Sequence, residues 1–363
     1  KRDVDNSGLG DWVVNENKIR GGLKNLAERI NGLGMKFGIW FEPEMVSEDS
    51  ELFRAHPDWC LHTPGRTPAP SRQQLVLDLS RKEVEDYLFD SISKILESAP
   101  ISYVKWDFNR HLTNVWSAIL PREQQGQVYH RFVLGLYSLL ERLLEKFPEI
   151  LFEGCSGGGG RFDAGMLYYT PQIWCSDNTD AIDRLRIQYG TSFGYPVSSM
   201  GSHVSVCPNH ATGRTTPLAT RGIVAMSGTF GYELDITLMT PEEKEMVKEQ
   251  VKFFQKNYDT ITFGDYYRLT SPFDNDRFVA WEFVSQDGKR ALLNVVFLMV
   301  RACYGNDYVR LQGLEPGAMY RIHGMEGSFS GTALMNAGLL LPRAKDDYMG
   351  YTWEIEKIQE NNQ

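Results

Sequence analysis

The sequence has no apolar run near the ~18 residues that a membrane span needs. Its most apolar stretch, Ala291 to Val300, is short, carries Asn294 and reads as a buried strand. Cysteine is scarce: Cys60, Cys155, Cys175, Cys207 and Cys303 are odd in number, scattered, and without C-x-x-C spacing. That fits reduced thiols in a cytoplasmic protein better than a disulfide framework. Cys207-Pro-Asn-His210 lacks the second pair that a zinc finger requires. Positive charge is in deficit, with 38 Lys and Arg against 47 Asp and Glu and a net charge of −9. Nucleic acid and anionic membrane are thereby disfavoured as main partners. No His-x-His follows any strand, which disfavours a metal-dependent barrel hydrolase. The chain starts without an initiator Met or signal peptide, and no strand precedes the first helix. It is expected to begin inside a loop of a longer polypeptide.

What is present is a regular alternation. Ile19, Leu23, Leu26, Ile30 and Leu33 give a helix over about 18–33, stopped by Gly34 and followed by a buried strand from Met35 to Phe41. Ser80 and Glu83 suggest a capping box for a helix whose face carries Val84, Leu88, Ile92 and Ile95. Ile101 to Phe108 is the next strand. A helix over about 123–147 (Val128, Phe132, Leu136, Leu139, Leu143) leads to strand Ile150 to Glu153. Further strands are expected at Gln172–Cys175, Val197–Met200 and Gly228–Leu234, with helices near 181–193, 216–227 and 241–256. The last two open on Thr-Pro pairs, a cap followed by Pro at the first helical position. Such alternation means a parallel sheet. From about residue 263 the pattern changes to short strands separated by turn signals such as Asp287-Gly288. The expected architecture is a catalytic barrel over 1–262 and an antiparallel β-sandwich domain over 263–363.

In barrels, functional side chains stand where the parallel strands end. Here those ends are polar: Trp40-Phe-Glu-Pro-Glu44, Lys105-Trp-Asp-Phe-Asn109, Glu153-Gly-Cys-Ser-Gly-Gly-Gly-Gly-Arg161 and Trp174-Cys-Ser-Asp-Asn-Thr-Asp180. Any one alone could be a cap or a turn; Asp177 by itself could cap the helix that follows. Four at one end of a sheet suit glycoside hydrolysis, in which one carboxylate attacks the anomeric carbon and another protonates the leaving oxygen. Trp40 offers a flat face to a sugar ring, and Arg72, Lys105 and Asn109 can donate to hydroxyls. Lys105 and Asp107 share a strand face, so Lys105 is expected to favour the charged form of Asp107. The glycines at 157–160 allow close backbone approach. The Gly-Lys-Ser/Thr ending of a phosphate loop is absent.

These same segments, with Gly38-Ile-Trp-Phe-Glu-Pro-Glu-Met-Val46 and His56-Pro-Asp-Trp59, closely resemble the signatures of glycoside hydrolase family 36, the bacterial α-galactosidases. The resemblance runs from Lys1 to the C-terminus. It implies a retaining double displacement with Asp107 as nucleophile and Asp177 as acid/base, acting on α-galactoside oligosaccharides such as melibiose and raffinose. It places Trp40, Arg72, Lys105, Asn109, Cys155 and Gly158 around the galactose, with no metal or organic cofactor. Glu42 and Glu44 become supporting residues, and Asp180 and Asp183 brace the helix after Asp177. A homo-oligomer is expected at full length.

The strand count gives about six βα units where a closed barrel needs eight. Family members also carry an N-terminal β-sandwich and two earlier barrel strands. The expected fold is therefore an incomplete (β/α)8 TIM barrel followed by a small antiparallel β domain, inactive or weakly active alone. The alternatives are a galactosyl transferase of the raffinose- or stachyose-synthase type and a non-catalytic sugar-binding fragment.

Overall fold

The computed structural model describes residues 2–68, 70–302 and 305–359, so Cys303 lies outside the described residues. The chain forms two compact units, Lys1–Trp174 and Cys175–Gln363.

In the first unit four parallel strands run in the order β1 (Phe37–Phe41), β2 (Ile101–Trp106), β3 (Leu151–Gly154) and β4 (Gln172–Trp174). Helices α1 (Gly22–Asn31), α2 (Lys82–Ser98) and α3 (Val128–Lys146) stand between them in sequence. The apolar positions expected to face inward on α2 and α3 are all buried, from Val84 through Leu143. They join Phe41, Val104, Trp106 and Phe152 in one core. Arg142 of α3 bonds Glu85 and Asp86 of α2, latching the two helices together.

Three local expectations are corrected here. The first helix begins only at Gly22, because Gly21 and Gly22 both take positive φ. There is no capping box before α2: Ser80 Oγ instead donates to Asp78 and Glu83 accepts from Arg81, leaving α2 without a side-chain cap. Strand β1 is only partly buried, since Gly38 and Trp40 are exposed while Phe41 is buried. Its one ladder partner among the described residues is β2. An apolar cleft of about 220 Å³ lies alongside, lined by Trp12, Val14, Ile39 and Trp40 among others.

The second unit opens with α4 (Ala181–Thr191) and a parallel pair, β5 (Met200–Ser205) and β6 (Thr229–Glu233), joined through α5 (Leu218–Ala225). The strand expected at Val197 is a 3-10 turn over Val197–Ser199, and β5 starts only at Met200. Pro196 sets up that turn. Helix α6 (Pro241–Phe263) has the Thr240–Glu243 capping box and Pro at its start. Six parallel strands alternating with helices are thus part of a (β/α)8 barrel.

An antiparallel domain follows. Its sheet contains β7 (Asp265–Arg268), β8 (Phe278–Val284), β9 (Arg290–Phe297), β11 (Met319–Ile322), β12 (Phe329–Ser330) and β14 (Gly350–Lys357). Strands β10 (Tyr308–Val309) and β13 (Leu339–Leu340) pair separately. Within this unit Lys256 and Asn257 of α6 bond Glu354 of β14, and Trp281 Nε1 donates to Ser227 Oγ at 2.7 Å.

Glu282 of β8 points among the apolar residues of this domain and is fully buried. It accepts from the Gln312 backbone N–H, with Tyr267 opposite on β7 and Leu293 opposite on β9. Burial pushes its carboxyl up to about 8. A raised folded-state value means stability is full below the ordinary carboxylate range and declines as pH rises towards 8. Glu282→Gln should abolish that decline, at most about 1.4 kcal/mol per pH unit. Urea midpoints of the two proteins compared at pH 5 and pH 8 would check this.

Candidate active site

The strands of the first unit carry their polar residues in the last ladder pairs and just beyond them. Trp40 of β1 faces Lys105 of β2 in register, and the Asp107 N–H donates to the Phe41 carbonyl at 2.8 Å. On the other side Cys155 N–H donates to Trp106 O at 2.8 Å, and Phe108 N–H to Cys155 O at 3.1 Å. The sheet ladder therefore continues past the strand ends, and Asp107 is held between its neighbours.

The Asp107 side chain is 6% exposed. Its Oδ2 accepts from Trp40 Nε1 at 3.1 Å and from Asn109 Nδ2 at 2.6 Å, and its Oδ1 from Phe108 N–H at 2.9 Å. The Cys155 thiol also bonds it, and burial with the Asp107 charge pushes that thiol far up from its ordinary value. Gly158, at φ 84, turns its backbone towards the Cys155 sulfur. Trp40, Asn109, Cys155 and Gly158 thus gather around Asp107.

Lys105, whose charge like that of Asp107 is felt by Cys155, has a carboxylate partner of its own. Its ammonium lies 3.5 Å from Glu153 and 4.7 Å from the centre of the Trp174 ring. The direct partners of Asp107 are neutral donors. Glu153 was visible in the sequence only as the start of the glycine-rich segment. The signal that could have found it is elementary: a half-buried strand lysine needs a carboxylate on an adjoining strand, and Lys105 and Glu153 are register partners. Gln172 and Tyr103 complete the Glu153 cluster.

Arg72 is exposed, with φ 51, and its charge is felt by Glu42. Glu42 is buried, accepting from Asn109 Nδ2 at 2.7 Å and Gln74 Nε2 at 2.9 Å. Burial raises its pKa, and the Asp107 charge adds to the rise, against the opposing Asn109 bond and Arg72 charge. Glu44 is 0% exposed and takes both arms of Arg161 at 2.9 Å, with Trp106 Nε1 at 2.8 Å. Both glutamates are occupied in binding protein groups.

In the second unit Asp177 is exposed and carries no hydrogen bond or ion pair among the described residues. It does not cap the following helix. Asp180 does, accepting from Ile182 and Asp183 N–H and pairing with Arg214, which also bonds Asp183. Asp177 is left free for another use. Among the described residues no group of three or more His, Cys, Asp or Glu is placed to hold a metal ion. No helix among them is long and apolar enough to cross a membrane.

Parallel strands whose ends carry carboxylates are the framework of sugar-hydrolase barrels. Comparison makes the class specific. Residues 1–264 match the Melibiase family, and residues 278–355 match the glycosyl hydrolase family 36 C-terminal domain. The chain is 52% identical over 360 residues to the α-galactosidase AgaA of Geobacillus stearothermophilus, covering 99% of this chain and 49% of that protein. The crystal structure of AgaB from the same organism matches with a TM-score of 0.96 and 53% identity, over 99% of this chain and 49% of that one. An AgaA variant solved with raffinose matches at 0.97 and 52%, covering 99% and 50%. The chain belongs to glycoside hydrolase family 36. It spans about half the length of the relatives it matches.

The thiols give a direct check on the site. Cys60 is pushed up to about 12, chiefly by burial, and Cys155 higher still, whereas Cys207 is only partly buried. Thiolates are the reactive form. Iodoacetamide at pH 8 should label Cys207 at least ~10-fold faster than Cys155 or Cys60. Peptide mass spectrometry against a urea-unfolded control measures the ratios.

Proposed function

We propose that the polypeptide carrying this chain is a retaining α-galactosidase that removes terminal α-linked galactose from oligosaccharides such as raffinose and melibiose. The observation that carries the reading is the seat of Asp107: a buried carboxylate at a parallel strand end, both oxygens oriented by named donors. Relatives named as α-galactosidases, one of them solved with raffinose, support the substrate class.

Asp107 attacks the anomeric carbon as the glycosidic C–O bond breaks, and the Asp177 carboxyl gives its proton to the departing oxygen. Asp177, now a carboxylate, takes a proton from water, whose oxygen displaces Asp107. Two inversions give net retention. Trp40, Arg72, Lys105, Asn109, Cys155 and Gly158 would hold the sugar, with Lys105 and Glu153 acting as one charged pair. The domain boundary proposed at 262/263 is supported by the end of α6 at Phe263 and the start of the antiparallel sheet at Asp265. Because the described residues supply six parallel strands against a barrel's eight, the isolated chain is expected to turn over nitrophenyl α-galactoside far more slowly than the relatives do.

Three measurements test the assignment. NMR of the first product should show α-galactose; initial β-galactose would remove the nucleophile from the scheme. Mass spectrometry after a 2-fluoro-galactosyl probe should find label on the Asp107 peptide, and Asp107→Ala should lose turnover of every substrate. Label on the Asp177 peptide would exchange the two roles.

A further inference from the structure

With no partner for its own side chain, Asp177 is placed entirely by the backbone on either side of it. The Asn178 N–H donates to Ser176 Oγ at 3.1 Å, and one further side chain holds the carbonyls on both sides. Arg184, in the first turn of α4, is 2% exposed. Its Nη2 donates to the Ser176 carbonyl at 3.0 Å and its Nε to the Asn178 carbonyl at 2.9 Å, the two carbonyls that bracket Asp177. Its Nη1 reaches Cys175 Sγ at 2.6 Å and the Gly201 carbonyl of β5 at 3.1 Å. A guanidinium is planar and rigid, so its donors keep fixed directions relative to one another. Residues 175, 176 and 178 are therefore held in one frame and tied to β5. The neighbouring network of Asn178, Asp180, Asp183 and Arg214 fixes the start of α4 but makes no contact with either bracketing carbonyl.

We propose that Arg184 is a positioning residue for the Asp177 carboxyl, a clamp that sets where the acid/base stands without touching substrate. The proposal rests on the reading of Asp177 as acid/base. Misplacement of a catalytic group by about 1 Å costs ~10²-fold in rate. For a general acid that loss depends on the leaving group, because an activated aryl group departs without protonation. A residue that only stabilised the fold would lower both rates alike.

The test uses Arg184→Lys and Arg184→Met in the natural polypeptide that carries this chain. Lysine keeps the charge, but as a point donor on a flexible stem it cannot bracket both carbonyls in a fixed fork. Both variants should lose ~10²-fold in kcat/KM on melibiose and less than about threefold in kcat/KM on nitrophenyl α-galactoside, because kcat/KM reports the bond-breaking step and excludes the later attack of water that both substrates share. Amide exchange by mass spectrometry should quicken at least ~10-fold in the peptide covering residues 176–179, with β8 and β9 unchanged. Equal losses on both substrates, full activity on both, or failure of both variants to fold would each overturn the clamp. Asp177→Ala run in parallel separates the two ideas. Steep leaving-group dependence there and none in Arg184→Lys sinks the clamp alone. No dependence in Asp177→Ala sinks the acid/base reading, and amide exchange still decides whether Arg184 holds the segment.

Discussion

The pair between the buried Glu44 and the partly buried Arg161 is the contact on which the first unit's site depends. Glu44 follows β1, Arg161 closes the glycine-rich segment after β3, and Trp106 Nε1, the third donor, lies next to Asp107 on β2. Three strand ends are thus tied at one carboxylate. Arg161 also lies 4.6 Å above the Phe108 ring, which presses the glycine-rich segment onto the residue after Asp107. Removing one member of a buried pair leaves an uncompensated charge and costs ~3–5 kcal/mol. The pair contributes mainly by fixing one arrangement, since its attraction is offset by the cost of dehydrating both ions.

The remaining polar groups sort by distance from that knot. Glu42 sits between Asn109 and Gln74 and holds the amide that in turn orients Asp107. Glu153 does for Lys105 what Glu44 does for Arg161, by a looser contact. Glu42, Glu44, Asp107 and Glu153 each have a donor drawn from a different strand or loop. The sequence segments that read as separate motifs are one hydrogen-bonded assembly.

The alternation of strands and helices was readable because helix faces such as Val84–Ile95 and Val128–Leu143 repeat their apolar residues at helical spacing. The residues around Asp107 were readable because they cluster in strand-end motifs. What failed was decided by competition between local partners. Ser80 could have capped α2, but Asp78 lies two residues away and took its hydroxyl. Val197 belongs to a β-favouring run, yet Pro196 turned it into a 3-10 segment. The burial of β1 could not be judged from its own composition, because burial depends on the number of flanking strands. Arg184 went unnoticed since an arginine on an amphipathic helix ordinarily faces water, and nothing local announces the carbonyls it reaches.

The neutrality of the donors around Asp107 has a consequence for behaviour in concentrated salt. Mobile ions screen interactions between charges, most strongly at exposed positions. The surface pairs Arg54–Asp49 and Lys24–Glu28 belong to that class and weaken as ionic strength rises. An indole N–H, an amide and a backbone N–H bonding a buried carboxylate offer little for a dissolved ion to compete with. Brine that loosens the periphery leaves the seat of Asp107 standing.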